Sequence, residues 1–188
     1  DVIICRYADD FVCAFQNKDD AEKFYRVLPK RLERFKLEVA QEKTNCKRFS
    51  RFEPGLNHSF TFLSFEFHWD KDKGGKPRLF RRTARKKLQE AKRGYTTFIK
   101  KSRHMKTPLL LDKLTQKLRG YYNYFGVIGN LGDLYQVYSH AVELLYKWLN
   151  RRSGRKSLTW AQLKRLIAYR SLVKPVCKAL NVKRRVWW

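Results

Sequence analysis

Asp9 and Asp10 stand side by side within Arg6-Tyr7-Ala8-Asp9-Asp10-Phe11-Val12. Adjacent carboxylates suit hard divalent cations, which prefer oxygen donors and keep several waters. Held by a rigid turn, such a pair fits nucleotidyl transfer, in which one metal activates a hydroxyl and another stabilises the leaving pyrophosphate. An Asp-Asp pair also has a plain structural use, because aspartate bonds its own backbone in turns. Two features favour chemistry here. Apolar runs bracket the pair, Val2-Ile3-Ile4-Cys5 before it and Phe11-Val12-Cys13-Ala14-Phe15 after it, and the chain is strongly basic.

The 188 residues carry 43 Lys and Arg against 17 Asp and Glu, a formal charge of +26 with a sequence pI near 10.2. That exceeds what solubility asks for and creates a field that attracts a polyanion, nucleic acid being the commonest. A membrane surface fits less well: the apolar residues are spread over faces of several elements instead of one basic helix. With 43% hydrophobic and 15% aromatic residues, the chain has the material for a core. Cys5, Cys13, Cys46 and Cys177 form no C-x-x-C pair, and His58, His68, His104 and His140 are scattered, so neither zinc nor a disulfide framework is indicated. No stretch is long enough to span a bilayer and no secretory signal is visible; a cytoplasmic (bacterial) or organellar setting, intracellular in either case, is the default expectation.

The elements that must position the acids follow from pattern. The two apolar runs predict a buried β-hairpin with Asp9 and Asp10 at its tip. Asn17 is placed to cap a helix bearing Ala21, Phe24, Tyr25, Leu28, Leu32 and Phe35 on one face, with a kink or a break at Pro29. Strand-like segments follow, clearest over Phe60 to Phe67. The polar stretch Asp70 to Pro77 then reads as a turn and a domain boundary. Beyond it the periodicity changes to helical: about Thr83 to Ser102, a helix opened by Thr107-Pro108 and ended by Gly126 and Gly129, one from near Asp133 through Leu149, and a shorter one from Ser157 or Thr159. The reading is an α+β chain: antiparallel strands with a helix over 1–75, a helical bundle over 76–150 and a basic helical extension over 151–188. The closing Lys183-Arg184-Arg185 and Val186-Trp187-Trp188 receive no physical explanation.

Tyr7-Ala8-Asp9-Asp10 with its apolar flanks resembles the catalytic hairpin of reverse transcriptases, in the form found in the group II intron reverse transcriptase/maturase family. Further motifs agree in order. Leu37-Glu38-Val39 through Glu42-Lys43-Thr44 is similar to the next palm motif. Phe62-Leu63-Ser64-Phe65 resembles the primer-grip turn, with Ser64 in place of a more usual glycine. Leu118-Arg119-Gly120-Tyr121-Tyr122-Asn123-Tyr124-Phe125 resembles the thumb, or maturase, helix.

By that resemblance the chain is a partial palm followed by a thumb, and part of an RNA-directed DNA polymerase. Asp9 and Asp10 would ligate two Mg²⁺ ions, or Mn²⁺ in their place, and Lys43 would protonate pyrophosphate from a deoxynucleoside triphosphate. Tyr7, Ala8, Phe62, Leu63, Ser64 and Phe65 would meet the primer end or the nucleotide. Arg81, Arg82, Arg85, Lys86, Arg93, Lys100, Lys101, Arg103, Lys117 and Arg119, with Asn123 and Tyr124, would hold a template RNA with its DNA primer, or intron RNA. Tyr121 and Tyr122 read as core. The family's other metal-binding aspartate and its fingers have no counterpart here, so polymerisation is expected to need an N-terminal fingers/palm segment. The alternative implied by the same resemblance is a non-catalytic RNA-binding maturase module that assists intron splicing.

Overall fold

The structure, a computed structural model, describes residues 2–53, 58–72, 74–152 and 158–177. Contacts divide the chain into residues 1–80 and 81–188, and each unit has its own logic.

In the first unit, β1 (Val2–Tyr7) and β2 (Asp10–Phe15) form a two-stranded antiparallel sheet in a register running from Val2 opposite Phe15 to Tyr7 opposite Asp10. Helix α1 (Lys18–Glu33) follows and lays Phe24 on Phe15, ring centroids 5.2 Å apart. Pro29 does not split it. The helix runs through the proline as one element, so of the kink or break expected there the break does not occur. Asn17 is the residue before the first turn but its side chain caps nothing; its amide donates to Asp20 Oδ2 at 3.2 Å. After a 3₁₀ turn at Gln41–Lys43, strands β3 (Phe60–Phe62), β4 (Phe65–Lys71) and β5 (Pro77–Thr83) form a second sheet in that order. Phe60 stacks on Phe67 across the β3–β4 pair at 5.1 Å, and Phe49 packs edge-on to Phe60.

One expectation fails clearly here. The hairpin is not buried: every residue of β1 is exposed, Ile3 to 71%. Apolar residues lie on both faces of this ribbon, and two strands with one helix cannot cover both. No described residue before Thr83 is buried. The continuous strand pattern over Phe60 to Phe67 is likewise two strands joined by a two-residue turn.

The second unit has a core. Helices α2 (Arg85–Ser102), α3 (Thr107–Phe125), α4 (Leu131–Asn150) and α5 (Trp160–Tyr169) bring Leu88, Tyr95 and Ile99, then Leu110, Leu111, Leu114 and Leu118, then Leu134, Val137, Ala141 and Leu145 into one cluster. Spacings of three and four residues in each helix put these side chains on a single stripe, which explains why the helices pack as they do. Leu163, Ile167 and Leu172 enter the same cluster, so the apolar face of α5 belongs to the bundle. Thr159 opens α5 with a capping box completed by Gln162. Thr107 is the first residue of α3 itself, one position inside the expected cap, and its hydroxyl accepts from Arg152 Nη1 at 3.2 Å. The unit is closed by Asn130. It accepts from the Thr83 backbone N–H and donates to Thr83 Oγ1 and to the Phe125 carbonyl, each at 2.8 Å, and is buried. The aromatic tail Val182 to Trp188 lies outside the described residues.

Candidate functional site

The acid pair sits where the sequence placed it, at the tip of the β1–β2 hairpin. Tyr7 pairs with Asp10, leaving Ala8 and Asp9 as a two-residue loop. Ala8 takes φ 51°, a left-handed value at which a side chain costs energy. The turn is pinned by Arg6, whose Nε donates to the Ala8 carbonyl at 2.8 Å. Asp9 and Asp10 are both exposed, as is Tyr7. Among the described residues, no group of three or more His, Cys, Asp and Glu lies close enough to hold a metal ion. Two neighbouring carboxylates alone do not make the donor set of a two-metal centre, which also calls on oxygen ligands from a further strand or substrate.

Lys43 ends the 3₁₀ turn and is exposed. Phe62, Leu63, Ser64 and Phe65 make the β3–β4 turn, with Phe62 opposite Phe65 and left-handed φ at Leu63 (48°) and Ser64 (67°). Positive φ at both central positions is the type I′ pattern, the tightest way to reverse a twisted strand pair and one that favours Asn-Gly. Strand β3 lies against β2. The first sheet and this turn therefore belong to one neighbourhood of the first unit.

The cations named from sequence all fall in the second unit. Arg81 and Arg82 are half-buried on β5; Arg85, Lys86, Arg93, Lys100, Lys101 and Arg103 are exposed on or just after α2; Lys117 and Arg119 are exposed on α3. Asn123 is exposed and Tyr124 is 52% exposed, whereas Tyr122 is buried and Tyr121 packs against the core. Several charges rest on rings. Arg103 and Arg151 both lie over Trp148, at 5.1 and 5.4 Å, and Lys117 Nζ lies 5.3 Å from Tyr95 and 5.6 Å from Phe98. Such stacking holds the aliphatic stems down while the charge stays at the surface. Burial also lowers the pKa of Arg152.

Anions are few. From Arg81 onward the acidic residues are Glu90, Asp112, Asp133 and Glu143. Glu90 pairs with Lys87 at 2.8 Å and Asp112 with Arg170 at 3.1 Å, while Asp133 accepts from Gln136 at 3.1 Å. The bundle thus presents a surface whose charge is overwhelmingly positive, on helices held in place by a dry core.

Residues 80–167 match the protein family described as group II intron, maturase-specific domain. In this segment the chain is similar to group II intron maturase-specific domains. The match runs from the last residues of β5 through most of α5 and contains every cation and polar contact residue named above from Arg81 to Tyr124. It supports a role connected with group II intron splicing and the binding of intron RNA. The hairpin with Asp9 and Asp10, Lys43 and the Phe62–Phe65 turn lie outside the matched segment. Comparison with curated proteins gave no match.

Sequence reading overlooked a second polar stripe of the bundle. Along α4, Gly132, Tyr135, Gln136, Ser139, His140 and Glu143 recur at spacings of one, three and four, on a face distinct from the apolar stripe, and with Lys92 of α2 they line a groove. The signal was present as helical periodicity of the polar residues themselves.

Proposed function

We propose that this chain is an intron-RNA-binding maturase module that supports the splicing of a group II intron. One observation carries the reading: the matched domain is a well-packed helical bundle whose exposed faces are lined with Lys and Arg and nearly lack carboxylates. A folded RNA presents closely spaced phosphates, and neutralising them releases counterions, so affinity is dominated by charge and falls steeply with salt. Binding of a group II intron RNA measured across 50 to 200 mM salt is expected to weaken by about a thousandfold or more, the behaviour of an interface with at least about six phosphate contacts. In parallel, the chain should raise the rate at which a precursor RNA splices. Salt-insensitive binding, or splicing unchanged by the chain, would overturn the proposal.

A second reading is favoured by the exposed acid pair at the tip of a tight hairpin. On it, the chain contributes to RNA-directed DNA synthesis, with Asp9 and Asp10 as ligands for Mg²⁺ or Mn²⁺, Lys43 as proton donor to pyrophosphate, and the Tyr7–Ala8 and Phe62–Phe65 segments against a DNA primer and a deoxynucleoside triphosphate. The donor set of the described residues falls short of two metals, so this activity requires carboxylates from a fingers/palm segment. Primer extension with and without that segment distinguishes the readings. Synthesis by these 188 residues alone would refute the requirement, and synthesis that survives Asp9→Asn with Asp10→Asn would remove the acids from the chemistry.

A further inference from the structure

The groove between α2 and α4 has a volume of ≈ 390 Å³, at the lower end of the range of about 300–1,000 Å³ found for ligand sites. Two hydrogen bonds fix the Gln136 amide in its lining. Lys92 Nζ donates to Gln136 Oε1 at 3.0 Å, and Gln136 Nε2 donates to Asp133 Oδ1 at 3.1 Å, which fixes the amide with its oxygen toward the cation. Thr96 donates its one hydroxyl proton to the Lys92 carbonyl at 2.9 Å, so its contact with His140 Nε2 at 3.0 Å must be one in which the imidazole donates. At the edge of the groove Tyr135 is 44% exposed, its ring braced edge-on by Tyr138 at 6.4 Å. Glu143 adds the one acidic residue of this unit that lines the groove.

An aromatic face, a lysine with two further donors, an amide, the Ser139 hydroxyl, an imidazole and a carboxylate are groups that can hold a nucleotide. The ring stacks on a base, and the lysine meets its phosphate. The remaining groups can bond to base edges and to a ribose 2′-hydroxyl. A duplex does not fit the demand, because its base faces are covered by neighbours. We infer that the α2–α4 groove receives one unpaired nucleotide of RNA, its base laid on Tyr135 and its backbone held by Lys92. This rests on the maturase reading of the bundle and adds to it the kind of RNA element that this face takes: a bulge, a loop or a single strand.

The test uses the full chain and two probes, a short unstructured RNA carrying bromouridine and a duplex RNA of the same composition. For the single-stranded probe, Tyr135→Ala is expected to weaken binding roughly five- to a hundredfold, the range found when a base-stacking ring is removed, with the slope against salt unchanged. Tyr135→Phe keeps the ring and should bind as the parent chain does. Duplex binding should be equal for all three, and photo-crosslinks should map to the α4 peptide containing Tyr135. Equal single-strand affinity of Tyr135→Ala and the parent chain, or crosslinks confined to other helices, would overturn the groove while leaving the RNA-binding reading intact. Failure of the parent chain to bind either RNA would overturn both.

Discussion

Asn130 shows how much one side chain can carry in a small bundle. Two of its three 2.8 Å hydrogen bonds join the end of β5 to the loop between α3 and α4, across 47 residues of sequence, and the third holds the Phe125 carbonyl at the end of α3. Asn130→Ala would strand the Thr83 N–H and the Phe125 carbonyl away from water, at a cost of about 2–4 kcal/mol read from denaturant unfolding of the bundle. Nothing in the sequence marked this residue, because a buried polar bridge depends on which distant elements meet. The tyrosines were more legible: helical spacing separated Tyr121 and Tyr122, facing in, from Tyr124, facing out. Burial pushes the Tyr121 phenol up to about 12 and raises those of Tyr95 and Tyr122 as well. The unfolded chain ionises them near pH 10. Above that pH it releases protons that the folded bundle retains, so the stabilisation from protonated phenols is complete below about pH 10 and is lost as pH rises through about 12. Unfolding curves recorded from pH 9 to 12 should show stability declining over that window; a flat profile would contradict it.

At the scale of elements, the turns hold the sharpest expectations. Leu63 and Ser64 both occupy left-handed backbone where Asn-Gly is the usual choice. Ser64→Gly should therefore tighten the β3–β4 hairpin by about 1 kcal/mol, visible as slower amide exchange in those strands. The opposite sign holds at Gly126. A Cβ there would fall onto the Tyr122 carbonyl and within 2.9 Å of the Val176 carbonyl, so Gly126→Ala should destabilise the bundle by about 1–3 kcal/mol in thermal or denaturant unfolding. Helices α2 to α5 were readable because each repeats its apolar residues over ten or more positions. Strand β5 was not, since Arg78, Arg81 and Arg82 interrupt what alternation Leu79 and Phe80 begin. The β3–β4 turn was hidden because Phe60, Phe62, Phe65 and Phe67 read as one strand-like stretch, and it emerged only from the resemblance of Phe62-Leu63-Ser64-Phe65 to a known turn.

For the molecule as a whole, the two units differ in what holds them. Described residues of the first unit reach at most partial burial, while the second encloses a continuous apolar cluster. Native-state hydrogen exchange should rank them accordingly: amides in α3 and α4 open only with global unfolding, and those of β1 and β2 exchange through low-energy local opening. Uniform protection across both would show that the first unit draws stability from a source other than its own packing. Net charge points to the same kind of partner as the family match, because a long-range field depends on composition more than on fold. It could not say where the partner sits, and the acid pair was legible only as a candidate for metal chemistry, because a ligand set depends on which distant residues meet it. The uncovered ribbon has a practical consequence. Among the described residues β1 is paired along one edge only, and its stretch Val2-Ile3-Ile4-Cys5 is itself uncharged, an open template for sheet growth between molecules. At low ionic strength, mutual repulsion of +26 particles keeps those edges apart. In the concentrated brine used to wash away bound polynucleotide, with screening reaching only about 3 Å, the same washed protein is free to seed filaments.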